Sequence, residues 1–309
     1  MQTLLPKILV IVGPTASGKS ALALEIAKRI PSEIISADSR QVYKYLTIGT
    51  AKPSADELAF VPHHFIDSHL PDEHFNAGDF SVQGRKIANE IIQRGKLPIV
   101  AGGTGLYIHS FLYGLFEGPS RITEIRQQLE TRLHNQGAEL LLEELRHVDP
   151  MAAERMLPSN TRRIIRALEV YYSTSKSISN HHAEQDQKQF FNATLVGLDW
   201  KRAALYDRIN KRVEKMIEAG FLAEVQSALT MGYDDRYKSM QTVGYKEALA
   251  YLRKEILYER MIELMKQNSR RFAKRQMTWF RQEKKIQWFD ISDEIQIAAV
   301  AENILKIFE

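Results

Sequence analysis

The stretch GPTASGKS, residues 13–20, stands directly after the apolar run ILVIV (8–12) and directly before ALALEIAKRI (21–30). Gly13, Gly18, Lys19 and Ser20 fill the pattern G-x-x-x-x-G-K-[ST], and the flanks make the segment strand, loop, helix. In such a loop consecutive backbone N–H groups curl round an anion and the helix N-terminus adds its positive dipole end. Lys19 supplies a full charge, and the Ser20 hydroxyl can ligate Mg2+. Gly13, Pro14, Thr15, Ala16, Ser17, Gly18, Lys19 and Ser20 are therefore the expected cradle of a di- or triphosphate, with Ser20 as the expected metal ligand. The competing reading is an ordinary glycine turn, which does not account for the strand and helix on either side.

Working outward, KILVIVG, SEIISAD and LPIVAGG (97–103) read as short strands, with a helix expected over about 81–94 between the last two. Strands alternating with helical crossovers predict an α/β fold, a P-loop NTPase-like parallel sheet core with helices on both faces. From about 117 to 172 the pattern turns helical. ITEIRQQLETRLHNQ, AELLLEELRHV and NTRRIIRALEVYY each repeat apolar residues at three- and four-residue spacing. This predicts an inserted all-helical subdomain over 115–189 in a core made of 1–114 and 190–309. The polar, aromatic-free stretch STSKSISNHHAEQDQKQ (173–189) reads as a mobile connector. After it ATLVGLDW returns as a strand, followed by helices near 201–230, 244–253 and 258–283 and a last strand KIQWFD.

Composition narrows the function classes. Of 309 residues 44% are hydrophobic, enough for a sizeable core, and none is cysteine, which removes disulfides, a thiol nucleophile and cysteine-ligated zinc. No apolar run approaches membrane-spanning length, and MQTLLPK carries no signal-peptide hydrophobic region, so a cytoplasmic enzyme is expected. The net charge of +4 is too mild to demand a nucleic-acid partner; its distribution says more.

In open parallel sheets ligands bind beyond the carboxyl ends of the strands. Three such ends carry chemistry here: the phosphate loop, Asp38 followed by Ser39, Arg40 and Gln41, and Gly102-Gly103-Thr104-Gly105. Singly, Asp38 reads equally as a helix cap and the glycine stretch as a tight turn. Together they place an anion cradle, a carboxylate and a hydroxyl at one cleft. The third strand ends in Gly-Gly-Thr, where an ATPase of this architecture carries an Asp for Mg2+.

The motifs GPTASGKS, DSRQVY (38–43), IGTAKP (48–53), HHFID (63–67), AGGTGLY (101–107), NTRRIIRALEV (160–170), QTVGYKEAL (241–249) and RFAKRQMTWFR (271–281) together resemble the tRNA dimethylallyltransferases, also called tRNA isopentenyltransferases. The likeness runs over nearly the whole chain, and with no cysteine among the 309 residues no zinc-finger extension is expected, so it is the bacterial type that is resembled. The resemblance implies that the loop holds the diphosphate of dimethylallyl diphosphate, with Mg2+. The prenyl group then passes to the exocyclic N6 amine of the adenosine beside the anticodon. It also implies tRNA contacts by Asp38, Ser39, Arg40, Gln41, Thr104 and Arg126, by Arg162, Arg163, Ile164, Ile165 and Arg166, and by Gln241, Thr242, Val243, Gly244, Tyr245 and Lys246.

That chemistry needs particular groups. Allylic C–O cleavage builds negative charge on the departing diphosphate, which the loop N–H groups, Lys19 and Mg2+ are placed to stabilise. Arg208 and Arg212, at i and i+4 of LYDRINKRVEKM (205–216), are candidates to close over the diphosphate, or else form a solvated basic face. Asp38 is the candidate general base for the amine proton, and Thr104 the candidate to orient the amine. The segment 259–285 carries nine Lys or Arg among Phe272, Trp279 and Phe280. This suits an RNA backbone through Arg271, Lys274 and Arg275, although a solvated face over core aromatics fits the same pattern. The histidines 63, 64, 69 and 74 have no recognised metal-ligand spacing. Partners are thus expected to be dimethylallyl diphosphate and the anticodon stem-loop of tRNA, with no membrane, and the chain a monomer. A P-loop kinase of nucleotides or small molecules, prenylation of free adenine nucleotides, and a non-catalytic RNA-binding module are the alternatives.

Overall fold

A computed structural model describes residues 5–115, 123–184, 189–293 and 295–308. The chain divides into two compact units, Met1–Tyr113 with Gln189–Glu309, and Gly114–Lys188. The first contains, in order, β1 (Lys7–Val12), α1 (Lys19–Ala27), β2 (Ser32–Ser36), α2 (Ala55–Phe60), β3 (His63–His64), α3 (Ala77–Gln93), β4 (Leu97–Gly102) and α4 (Gly105–Tyr113). The second holds α5 (Thr123–Gln136), α6 (Ala138–Val148), α7 (Pro150–Ala153), α8 (Thr161–Thr174) and α9 (Ile178–Glu184). The first unit then resumes with β5 (Asn192–Trp200), α10 (Arg202–Glu218), α11 (Phe221–Thr230), α12 (Tyr245–Leu252), α13 (Tyr258–Phe280), β6 (Gln287–Ile291) and α14 (Gln296–Leu305).

Among the described residues the strands form one sheet in the order β3-β2-β4-β1-β5-β6, and every pair is parallel. Ile8 to Val12 are wholly buried. Leu9 and Ile11 pack with Leu22 and Ile26 of α1 and Ile297 and Ile304 of α14. Ile8, Val10 and Val12 point the other way, so both faces of the central strand are covered, which is why its sequence is a continuous apolar run rather than an alternating one. Parallel pairing also brings all carboxyl ends to one edge: Val12 lies opposite Gly102 and Gly197, and Ser36 opposite Ala101. The three chemistry-bearing segments leave the sheet side by side there.

The helical unit has its own core, Leu129, Leu141, Leu142, Leu145, Ala153, Ile164, Ile165 and Leu168, supplied by the apolar stripes of α5, α6 and α8 with Ala153 of α7. Several expected boundaries shift for local reasons. α3 starts at Ala77 because Asn76 caps Gly78 and Asp79 while Asp79 returns a bond to Asn76, a capping box that extends the helix four residues earlier. The helical stretch near 201–230 is two helices, broken at Gly220 with φ +93°. The stretch 173–189, read as a mobile connector, instead forms α9 over 178–184. There the backbone N–H of Ser179 donates to Asp149 and that of Asn180 to Ser177; positions 185–188 lie outside the described residues. β3 and α14 were not among the expected elements. No helix of the described residues is long and apolar enough to cross a membrane.

Candidate active site at the carboxyl ends of the strands

The loop after β1 has the backbone its glycines permit. Gly18 sits at φ +95° as the residue preceding α1, a conformation closed to most side chains, and a Cβ on Gly13 would lie 2.9 Å from Ser17 Oγ. Lys19 opens α1 and its Nζ donates to the Pro14 carbonyl at 2.6 Å. The loop is also held from outside: Trp200 Nε1 donates to Ser17 O at 2.9 Å and Arg208 Nε to Ala16 O at 2.9 Å, while the Arg208 guanidinium stacks 4.3 Å from the Trp200 ring. Ser17 Oγ is buried with no hydrogen-bond partner among the described residues, and Ser20 is exposed in the first turn of α1.

Facing the loop, α10 presents Arg208, Lys211, Arg212 and Lys215, spaced i, i+3, i+4 and i+7. With residues 16–21 they line one cleft that contains five cations and no carboxylate. Burial pulls the Lys19 ammonium down to about 7; nearby Asp38 opposes this, and Arg212 and Arg40 reinforce it. Burial likewise lowers Arg212 to about 10, with Arg40 adding to the effect and Asp38 offsetting it. Cations crowded and desolvated in this way are stabilised by a multiply charged anion. The sequence reading found Arg208 and Arg212 and missed Lys211 and Lys215, although the same helical spacing contains all four.

The ends of β2 and β4 interlock. Thr104 N donates to Ala37 O at 3.1 Å, Ser39 N donates to Thr104 Oγ1 at 3.1 Å, and Thr104 Oγ1 lies 3.4 Å from Ser39 Oγ. Asp38 accepts from Arg40 N at 2.9 Å, pairs with the Arg40 guanidinium at 3.8 Å and keeps 24% of its side chain exposed. The glycines of AGGTG are set by close approach: a Cβ on Gly102 would strike the Ala37 carbonyl, one on Gly103 the Gln276 amide and one on Gly105 the Trp279 ring. Arg40 stacks 5.3 Å from Phe272 of α13. Asp38, Thr104, Arg40, Arg212 and the phosphate loop therefore do share one site.

Other sequence-predicted residues are placed differently. The Gln41 side chain is fully engaged, accepting from Ser36 Oγ at 2.8 Å and donating to Thr50 O and Ala51 O, so its amide holds the following loop. Ile164 and Ile165 are in the core of the helical unit, while Arg162 and Arg163 on the same helix are exposed. Arg126 and Arg166 both reach the buried Glu169, at 3.6 and 3.1 Å, a carboxylate the sequence reading overlooked. Gly244 and Tyr245 are buried, Thr242 and Val243 partly so, and Gln241 and Lys246 are exposed. The Tyr245 hydroxyl donates to Glu224, which also accepts the backbone N–H groups of Thr47, Ile48 and Gly49 and so fixes the IGTAKP loop.

On α13, Lys266, Arg270 and Arg281 (just past its end) are tied to Glu214, Asn210 and Asp199. Arg271, Lys274 and Arg275 are exposed and, among the described residues, form no ion pair. His63 and His64 make up β3, with His63 bonded to Val61 O and His64 to Glu33. Among the described residues no three His, Asp or Glu side chains gather as a metal site.

A parallel sheet whose first strand feeds a phosphate loop, roofed by cations and flanked by a carboxylate and a hydroxyl from neighbouring strand ends, has the arrangement of a P-loop-type anion site with groups for acid–base chemistry beside it. The profile of the IPP transferase family matches residues 41–283. A tRNA dimethylallyltransferase of Acetivibrio thermocellus is 48% identical over 92% of this chain and 91% of its own, and one of Alkaliphilus oremlandii 42% identical over 98% and 97%. Among solved structures, the full-length tRNA isopentenylpyrophosphate transferase of Bacillus halodurans is similar with a TM-score of 0.72 and 39% identity, covering 97% of this chain and 96% of that one. A eukaryotic dimethylallyltransferase acting on tRNA aligns at TM-score 0.83 and 29% identity, over 97% of this chain and 78% of that one. The chain belongs to the IPP transferase family.

Proposed function

We propose that this protein transfers the dimethylallyl group of dimethylallyl diphosphate to the N6 amine of the adenosine beside the anticodon in tRNA and releases diphosphate. One observation carries the reading: the five-cation, carboxylate-free cleft over the phosphate loop stands next to Asp38 and Thr104 on adjoining strand ends. Adenine's N6 lone pair is delocalised into the ring, so the electrophile has to be activated. As the allylic C–O bond breaks, positive charge spreads over the allyl unit and its electron pair leaves with the diphosphate. The loop N–H groups, Lys19, Arg208 and Arg212 receive that charge. The amine then bonds to the terminal allylic carbon, becomes acidic, and gives its proton to Asp38, while Thr104 orients it.

The donor set fits a Mg2+ that enters with the diphosphate. Ser20 offers one exposed hydroxyl, and the remaining ligands of such an ion are ordinarily phosphate oxygens and water. Bound there, Mg2+ would supply further charge neutralisation of the leaving group. The target base lies stacked in a loop and has to be turned out to reach Asp38. Arg271, Lys274 and Arg275 on α13 and Arg162 and Arg163 on α8 are the cations that bind RNA phosphates in this reading, the protein acting as a cytoplasmic monomer on the anticodon stem-loop.

Incubation with labelled dimethylallyl diphosphate or labelled ATP, each with tRNA or AMP, tests it. Label from dimethylallyl diphosphate in tRNA is expected. Label in AMP alone, or transfer from ATP, overturns the reading.

A further inference from the structure

Gln276 lies on the inner side of α13 with 7% of its surface exposed, and both ends of its amide are used. Oε1 accepts from Thr15 N at 2.8 Å, and Nε2 donates to the Gly103 carbonyl at 2.9 Å. Thr15 belongs to the phosphate loop, whereas Gly103 immediately precedes Thr104. β1 and β4 are paired only as far as Val12 and Gly102. Beyond that point the ladder stops, and among the described residues no other hydrogen bond joins the two turns.

The same helix face touches the site one turn to either side. Phe272 stacks against Arg40, and Trp279 lies where a Cβ of Gly105 would be. The next face round, with Arg271, Lys274 and Arg275, is exposed. The bridge needs a side chain that accepts at one end and donates at the other, which a neutral amide does and a carboxylate or thioether does not. Gly103 has no side chain because Nε2 stands in the space of its Cβ.

We infer that Gln276 is a positioning residue for group transfer: it fixes the separation between the loop that holds the donor's diphosphate and the turn that carries Thr104, and it joins both to α13. The inference rests on the function proposed above. The reacting atoms come from the two loops separately, so an error of about 1 Å in their spacing lowers the rate by about 10²-fold without abolishing either binding event. The effect belongs in the rate constant of the loaded complex, not in either affinity.

Single-turnover prenyl transfer, equilibrium binding of donor and of tRNA, and thermal melting are to be compared for the wild-type protein, Gln276→Met and Gln276→Glu. Met keeps the bulk and loses both bonds; Glu keeps the acceptor for Thr15 and places an oxygen against the Gly103 carbonyl. For both variants a 10- to 100-fold slower single turnover at saturating substrates is expected, with each dissociation constant within about threefold of wild type. A cycle with Thr104→Val adds a second readout: the Gln276→Met penalty is expected to shrink at least threefold in the Thr104→Val background, since Gln276 acts on Thr104 through the backbone of Gly103 and residues coupled through one backbone shift do not act additively. A single-turnover rate within threefold of wild type, with only the melting temperature lowered, overturns the inference, as does full additivity with Thr104→Val. Absence of prenyl transfer by the wild-type protein would instead sink the proposed function.

Discussion

At the scale of single residues, the site separates charge between two jobs. Lys19 is partly buried among Arg212 and Arg40 with Asp38 as the nearby carboxylate, so in the proposed reaction a diphosphate would relieve the repulsion the cations impose on one another. Lys19→Ala is expected to raise KM for the prenyl donor and to lower kcat, because the charge it meets grows as the bond breaks. Donor kinetics that do not change would remove Lys19 from the site. Asp38 is the opposite case. It leaves β2 beside the phosphate loop, bonded to the Arg40 backbone and in line with Thr104 through Ser39. Asp38→Asn preserves the shape and an accepting oxygen but cannot take a proton. Transfer is expected to fall by about 10² to 10⁴, with donor affinity across a Mg2+ titration almost unchanged. A loss of donor affinity that excess Mg2+ restores would make Asp38 a metal ligand instead. These residues are readable in the sequence because each sits at the end of an apolar run, where local pattern and the parallel-sheet rule agree. Gln276 is not: inside RFAKRQMTWFR nothing separates it from the other polar residues of an amphipathic helix, and only the packing of α13 across two strand ends reveals its role.

At the scale of elements, α13 works through two faces. Phe272, Gln276 and Trp279 face the site, while Arg271, Lys274 and Arg275 face outward and, among the described residues, have no carboxylate partners. Neutralising those three together is expected to weaken tRNA binding. It should also shallow the dependence of log affinity on log salt by about 2 to 3 units, at about 0.7–0.9 for each lost phosphate contact. An unchanged slope would mean that this face does not touch the RNA backbone. The sequence shows nine basic residues in this region without sorting them. The ion pair from Lys266 to Glu214, the contact from Arg270 to Asn210 and the pairing of Arg281 with Asp199 are tertiary, and they decide which cations remain available. The same limit explains Ile164, Ile165 and Tyr245. They lie inside motifs that a family resemblance marks for RNA contact, yet their side chains fill cores that support exposed neighbours such as Arg162, Arg163 and Lys246.

At the scale of the molecule, one buried charge holds the edge of the sheet. Glu33 of β2 accepts from Arg94 at the end of α3, from Lys96 before β4 and from His64 of β3. Burial alone would raise its carboxyl, but the bonds from Arg94, His64 and Lys96 outweigh that and hold it at about 2, below the ordinary 4.5. A depressed carboxylate stabilises the fold fully above its unfolded value and loses that contribution as pH falls through about 2. At neutral pH Glu33→Gln is expected to cost on the order of 1–3 kcal/mol, the gap to wild type closing between about pH 5 and pH 2. Chemical denaturation at several pH values measures it, and a gap independent of pH would refute the linkage. What the sequence determined by itself was the local and the periodic: a glycine spacing that, between a strand and a helix, marks a phosphate loop, apolar runs that become buried parallel strands, and helical stripes that need partners. The tertiary structure alone decided which side chains meet. Four cations of α10 close over the loop that carries Lys19, an amide bridges two turns, and Glu224 and Glu169 gather donors from distant segments, because those contacts depend on distances in space that no spacing along the chain encodes.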